Sequence, residues 1–249
     1  MIMSFSDKDM GKKLDKQVAA YQGDNIYDFD NEILLTWYPQ RVLHHAGSSQ
    51  SILELGLGHG FTTDIFSRYF SRHVVLEGSP AVIENFREKH DDCSAEIVEG
   101  YFENFSTEER FDVIVMGFIL EHVDDPLIIL RRFREFLAPE GRIFLAVPNA
   151  QVMNRRLGHL SGMLDDITEL SENDHLLGHK RFYTTESLRK DIEQVGFGVD
   201  RMEGIYLKPF TTNQMLSLDL DRSIIESLCT LGVDYPELSC GLLAEISIL

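Results

Sequence analysis

The segment ILELGLGHG, residues 52–60, joins an apolar strand-like run to three glycines at alternate positions. Glycine tolerates positive φ and lets backbone N–H groups approach a ligand closely. One glycine would suit an ordinary strand-to-helix turn, whereas three directly after an apolar strand predict a ligand-binding loop. Their G-x-G-x-G spacing is one residue tighter than the G-x-G-x-x-G pattern of dinucleotide-binding folds.

Two carboxylates accompany this loop. Glu54 lies two positions before Gly56, where it would repel a phosphate but favour a cationic ligand or orient the loop. Glu77 lies within VVLEGSP, at the carboxyl end of the next strand-like run and 17 residues after Gly60. A carboxylate at that position can accept two hydrogen bonds from ribose hydroxyls. The plainer alternative is a glutamate exposed at the start of a loop.

Outward from this segment, short apolar runs alternate with helix-length segments, a pattern that predicts an α/β fold around a mostly parallel sheet. The strand-like runs are Ser51–Leu55, His73–Leu76, Ala95–Val98, Phe111–Met116, Arg142–Val147, Gly198–Tyr206 and Leu242–Leu249. Helices are predicted over Phe61–Phe70, Pro80–Lys89 with Ser79 as cap, Pro126–Leu137 and Thr185–Val195.

The chain is predicted to form a single domain over residues 1–249. Residues 1–50 form a helical N-terminal flap, in which Pro39 should kink or break the helix Asp30–His45. Residues 51–150 form the half that carries the ligand-binding loop, and residues 151–249 form the substrate-side half. That second half carries two inserts, residues 151–180 as a loop or lid and residues 209–238 with helical character around Arg222–Leu231.

The amino-acid composition argues against several classes of function. The chain has 249 residues, and 23 Lys and Arg against 41 Asp and Glu give a net charge of −18. This acidity argues against nucleic acid and anionic membranes as partners. No apolar run approaches the ~20 residues of a membrane span, and the three cysteines show no disulfide or zinc spacing. We expect a cytoplasmic protein; a homodimer is compatible with the sequence.

Five segments occur in order: ILELGLGHG, VVLEGSP, EGYFENF, FDVIVMGFILEHVDDP and LAPEGRIFLAVPNA. Together they resemble the motifs of class I S-adenosylmethionine-dependent methyltransferases, in the branch of quinone, sugar and natural-product enzymes. The likeness covers Gln50–Asn149 and, more loosely, Arg181–Phe197. It implies a Rossmann-like, seven-stranded, mostly parallel sheet with helices on both faces. It also implies S-adenosyl-L-methionine as cofactor and methyl transfer to a small molecule by direct in-line displacement.

The resemblance also assigns cofactor contacts. The glycine loop would lie under the methionine and ribose, Glu77 would bind the ribose, and Tyr101 and Phe102 would flank the adenine. Tyr101 departs from similar sequences, which often have an Asp that binds the adenine amino group. The full predicted set is Glu54, Gly56, Gly58, Gly60, Glu77, Gly78, Ser79, Tyr101, Phe102, Gly117 and Phe118.

On the acceptor side, His122 follows the fourth strand and is the candidate general base. A histidine packed under a loop at a helix start is an equally weighted alternative. The predicted acceptor contacts are Asn149, His179, Arg181 and Tyr183. No metal is predicted, because Gly178 interrupts the His175–His179 spacing and no third ligand matches it.

Three other functions stay open at this point. One is a non-catalytic S-adenosylmethionine-binding protein on the same fold. Another is a nicotinamide-dependent oxidoreductase, which the G-x-G-x-G spacing disfavours. The third is a methyltransferase of protein or nucleic acid; the acidity disfavours nucleic acid, and the sequence has no N/D-P-P-Y/F segment of the kind that binds base amino groups.

Overall fold

Seven strands within the described residues, 26–249, form one sheet in this computed structural model. They are β1 (Ser51–Leu55), β2 (Arg72–Glu77), β3 (Glu96–Glu99), β4 (Phe111–Gly117), β5 (Leu137–Pro148), β6 (Phe197–Leu207) and β7 (Ser239–Ile248). Their spatial order is β3-β2-β1-β4-β5-β7-β6. Strands β1 to β5 are parallel, and β7 is antiparallel to β5 and β6. The predicted mostly parallel sheet is confirmed; residues 1–25 of the predicted flap lie outside the described range.

Helices cover both faces of the sheet, as predicted. Those used below are α1 (Asp28–Ala46), α2 (Phe61–Ser67), α3 (Pro80–Lys89), α4 (Pro126–Arg134), α5 (Met153–Leu160), α6 (Glu172–Leu177), α7 (Thr185–Gln194), α8 (Thr212–Ser217) and α9 (Arg222–Gly232). One apolar core joins the sheet to α4 and α7, and another joins it to α1, α2 and α9. None of the helices in residues 26–249 is both long and apolar enough to cross a membrane.

Helix α1 continues through Pro39, so of the two predicted effects, a kink or a break, the break was wrong. Proline removes one backbone hydrogen bond from a helix. Tyr38, Pro39, Val42 and Ala46 are all buried, and burial of this apolar stripe offsets the missing bond. Residues 28–46 of the predicted flap therefore pack against the sheet as part of its core.

The two inserts differ from each other. Residues 151–180 contain α5 and α6, where a loop was predicted, and neither helix contains a buried residue. A capping box between Ser171 and Asp174 explains why α6 forms. In residues 209–238, α9 confirms the predicted helix, and Met215 of α8 and Cys229 of α9 are buried in the core shared with α1. This second insert covers the sheet.

The strand order sets the position of the site. Strand β1 has β2 on one side and β4 on the other. The chain therefore continues from β1 towards one edge of the sheet and from β4 towards the other edge. Open parallel sheets bind ligands in the crevice that such a switch creates at the carboxyl ends of the strands. The loops after β1 and β4 therefore flank the expected binding crevice.

Candidate active site

The glycine loop after β1 has open space at its centre. Gly56, Gly58 and Gly60 have φ values of +80°, +49° and +83°, a region that L side chains rarely adopt. A Cβ built on Gly58 would meet no atom within 4 Å, whereas one on Gly56 would lie 3.0 Å from Ile119 Cδ1. A Cβ on Gly60 would lie 2.7 Å from the Phe86 ring. The loop is therefore packed against other residues at Gly56 and Gly60 and leaves open space at Gly58.

Glu77 holds this loop in place. Its carboxylate accepts hydrogen bonds from the backbone N–H groups of Leu57, at 3.0 Å, and Ser79, at 2.7 Å. Burial raises the pKa of Glu77, and the bonds from Leu57, Ser79 and Gly78 oppose that rise. A carboxylate can accept about four hydrogen bonds, so Glu77 keeps capacity for a ligand hydroxyl while tying the loop to β2.

The remaining residues predicted beside Glu77 lie at the same edge. The Gly100 N–H donates to the Glu77 carbonyl at 2.9 Å, which places the half-buried Tyr101 and Phe102 next to the end of β2. The Phe102 ring packs against the apolar core that contains Phe133. The Ser79 hydroxyl caps α3, as predicted.

The Glu54 side chain makes its contacts with other residues of the protein. Its buried carboxylate accepts hydrogen bonds from the hydroxyls of Thr62 and Thr63, both in the first turn of α2, and contacts His73 Nε2 at 3.0 Å. These contacts fix the start of α2 directly after the glycine loop. Thr62 and Thr63 were not predicted, although paired hydroxyls directly after a glycine loop are a usable signal.

The end of β4 is crowded by Tyr38. Phe118 has φ +57°, which is uncommon for a residue with a side chain and is often found at binding sites. Its ring makes an edge contact with Tyr38 at 5.8 Å between centroids. The Tyr38 hydroxyl, which hydrogen-bonds Thr62, occupies the space beside Gly117. Tyr38 was not among the residues predicted to form the site.

Gly117→Ala should destabilise the protein by about 1–3 kcal/mol, because overpacking a dense interior costs about that much. The new Cβ would lie 2.0 Å from Tyr38 Oη. Urea unfolding measures the loss, and Tyr38→Phe in the same chain should recover part of it. Gly100→Ala is the matched control, since its Cβ meets Leu76 Cδ1 at an ordinary 3.4 Å. Equal stability of the two alanine variants would contradict the packing argument.

Beyond β4, three ionisable side chains from two segments meet. Ligating atoms of Glu121, His122 and His179 lie within 4.8 Å of one another. Glu121 is 1% exposed, and burial raises its pKa to about 7. Burial, followed by the nearby His179, lowers the pKa of His122 to about 4. His122 is therefore a neutral imidazole near pH 7, and its buried Nδ1 has no hydrogen-bond partner among the described residues.

Hydrogen bonds from Lys180 and Arg181 hold the segment that contains His179 against the segment after β4. The Arg181 guanidinium donates to the carbonyls of Leu120 at 2.6 Å, Val123 at 2.7 Å and Asp124 at 3.0 Å. The Lys180 N–H donates to the Glu121 carbonyl at 2.8 Å. The geometry therefore gives no support to the predicted acceptor contact of Arg181, because its charge is engaged with backbone oxygens.

Asn149 is likewise used within the protein. Its side-chain Nδ2 donates to the carbonyls of Pro236 and Ser239, and its Oδ1 accepts from the Gln151 N–H at 2.9 Å. Tyr183 forms a backbone bridge to Asn149 and is buried in the core. Of the four predicted acceptor contacts, His179 is the one that the fold brings beside His122.

A sequence family described as a methyltransferase domain matches residues 31–201. The chain belongs to this family, and its fold is that of class I S-adenosylmethionine-dependent methyltransferases.

Individual relatives agree with this assignment. The ubiquinone biosynthesis O-methyltransferase of Aliivibrio fischeri (strain MJ11) is 23% identical over 190 residues, which cover 74% of this chain and 80% of that protein. The N-methyltransferase NodS from Bradyrhizobium japonicum WM9, solved with S-adenosyl-L-homocysteine, matches with a TM-score of 0.60 and 14% identity over 94% of this chain and 97% of its own. A Haloferax volcanii methyltransferase in complex with its Trm112 activator matches with a TM-score of 0.57 and 15% identity over 94% and 96%.

Proposed function

We propose that this protein binds S-adenosyl-L-methionine in the crevice between β1 and β4 and methylates a small-molecule acceptor there. The observation that carries the proposal is the cradle at Gly58, where three positive-φ glycines follow β1 and a Cβ would meet open space. The bound sulfonium supplies an activated methyl group for in-line displacement. The relatives' names include O- and N-methyltransferases, so a hydroxyl and an amine are the acceptor groups to test first.

The roles of the protein's residues follow from their geometry. Gly56, Gly58 and Gly60 allow the backbone to approach the cofactor, and Glu77 holds the loop and accepts from ribose hydroxyls. Glu54 positions the start of α2 beneath the loop. Orientation of the reacting groups can supply up to about 7–11 kcal/mol of a barrier in favourable cases.

His122 is the proposed general base for a hydroxyl acceptor. A neutral imidazole with an unpartnered Nδ1 can accept a proton, and its place after β4 is beside the crevice. Positioned bases contribute about 10²–10⁴-fold to rate. An amine that arrives uncharged would need less assistance.

The proposal extends to a cytoplasmic, small-molecule enzyme without a nucleic-acid or membrane partner. The acidic charge of −18 supports this, as do the free thiols of Cys93, Cys229 and Cys240. Family membership argues against the nicotinamide-dependent alternative. The non-catalytic alternative requires a turnover measurement.

Calorimetry with S-adenosylmethionine, S-adenosylhomocysteine and NAD tests cofactor choice. We expect binding of the first two and none of NAD. A screen of quinols, phenols, sugars and amines should then show acceptor-dependent formation of S-adenosylhomocysteine. Binding of NAD alone would refute the proposal, and cofactor binding without transfer to any acceptor would favour the non-catalytic alternative.

A further inference from the structure

The Glu121 carboxylate is the least satisfied charged group at the crevice. It is 1% exposed, and apart from its own backbone N–H neither oxygen has a hydrogen-bond partner in the described part of the chain. Burying a carboxylate without a partner costs free energy, and buried charges are normally paired or bound to a metal. The nearby cations do not provide that pairing, since Arg181 binds three carbonyls and Lys180 binds Asp124.

Two imidazoles face this carboxylate. The rings of His122 and His179 meet edge-on with centroids 4.8 Å apart. Nδ1 of His122 is buried without a partner, and the same ring hydrogen-bonds the Gly178 backbone. Three potential ligating atoms, one from each residue, lie within 4.8 Å of one another. Zn²⁺ binds nitrogen and carboxylate ligands at roughly 2.0–2.2 Å, so the three side chains must move closer together to share one ion.

We propose that Glu121, His122 and His179 bind one divalent transition-metal ion of the Zn²⁺ class, with at least one coordination position open. Imidazole nitrogens favour Zn²⁺ and similar ions over Mg²⁺ and Ca²⁺, which prefer oxygen ligands. Two histidines and one carboxylate are also the ligand set of open, catalytic zinc sites.

The outer contacts of the cluster also match a metal site. Metal-bound histidines usually donate their second ring N–H to a carboxylate or a backbone carbonyl. His179 Nδ1 contacts Asp174 Oδ1 at 3.0 Å, which leaves Nε2 for the ion. The other Asp174 oxygen accepts from the Ser171 N–H at 2.8 Å. The hydrogen bond between the His122 ring and the Gly178 backbone is the corresponding outer contact for the second imidazole, and it leaves Nδ1 of His122 for the ion.

The open position would take water or an oxygen of the methyl acceptor, and only this last point rests on the proposed function. In a metal-loaded protein the Nδ1 lone pair of His122 is bound to the ion. His122 would then act through the metal instead of as a free base. Metal binding itself requires neither cofactor nor acceptor.

The test is titration of chelator-treated protein with Co²⁺, followed by visible absorbance, and then displacement by Zn²⁺. We expect one Co²⁺ per chain and its stoichiometric release by Zn²⁺. Asp174→Asn changes a contact outside the ligand set and should weaken Co²⁺ binding by about 10–100-fold. Glu121→Gln removes a ligand and should weaken Co²⁺ binding by more than that. His175→Ala is the matched control, because His175 is exposed and adjacent to Asp174 but outside the cluster. It should bind Co²⁺ like the parent.

Thermal unfolding shows whether Glu121→Gln fails to bind metal because it has lost a ligand or because it is misfolded. Glu121→Gln removes an unpaired buried charge, so the metal-free variant should melt at or above the parent temperature. Zn²⁺ should raise the Tm of the parent but not that of Glu121→Gln. Absence of stoichiometric Co²⁺ binding, or equal binding by Glu121→Gln and His175→Ala, would overturn the metal site. Calorimetry of S-adenosylmethionine on the same metal-free protein tests the proposed function separately.

Discussion

Gly58→Arg is expected to abolish detectable binding of S-adenosylmethionine, a loss of at least about 100-fold, or about 2.7 kcal/mol. The side chain would fill the space above the loop, where no atom lies within 4 Å of the position of a Cβ. Its guanidinium would also place positive charge against a cationic sulfonium. A side chain at φ +49° adds strain of roughly 1–2 kcal/mol to the loop.

Gly47→Arg is the control for strain and added charge. Gly47 has φ +62° and likewise no atom within 4 Å of a built Cβ, but it lies between α1 and the start of β1, at the opposite edge of the sheet. Calorimetry of both variants should show normal affinity for Gly47→Arg and none for Gly58→Arg. Parent-like affinity in Gly58→Arg would place the cofactor elsewhere.

The parts of the fold that depend on local sequence patterns could be predicted. Apolar runs located all seven strands, and Ser79 was identified as the cap of α3. Local rules failed where tertiary packing outweighs them. Pro39 lies inside a continuous helix because the surrounding stripe is buried, and α6 forms within a segment that had no clear helical pattern.

The candidate site was predictable only in part, for a related reason. Glycine spacing and the position of Glu77 are visible in the sequence because each lies at the end of a strand. The grouping of His122 with His179, 57 residues later, is not visible, since it depends on the Arg181 hydrogen bonds to the loop after β4. Contact of Tyr38 with Gly117 depends in the same way on how α1 packs.

His122→Ala is expected to slow methyl transfer to a hydroxyl acceptor by about 10²–10⁴-fold and to leave the affinity for S-adenosylmethionine unchanged. The imidazole follows β4 and is not among the residues predicted to bind the cofactor, so its loss should remove an acceptor-side group only. Turnover at saturating cofactor, with calorimetry in parallel, measures the two effects. His175→Ala, an exposed histidine on α6, should retain full activity.

The same variant separates the two chemical roles open to His122. A free base that has been removed can be replaced by added imidazole, and metal-free parent protein should then be fully active. A metal ligand that has been removed weakens ion binding, so excess Zn²⁺ should restore part of the turnover while Glu121 and His179 remain. Chelation should in that case inactivate the parent but leave its cofactor affinity intact. Full activity of His122→Ala without added imidazole or metal would exclude both roles, because neither can survive the loss of Nδ1.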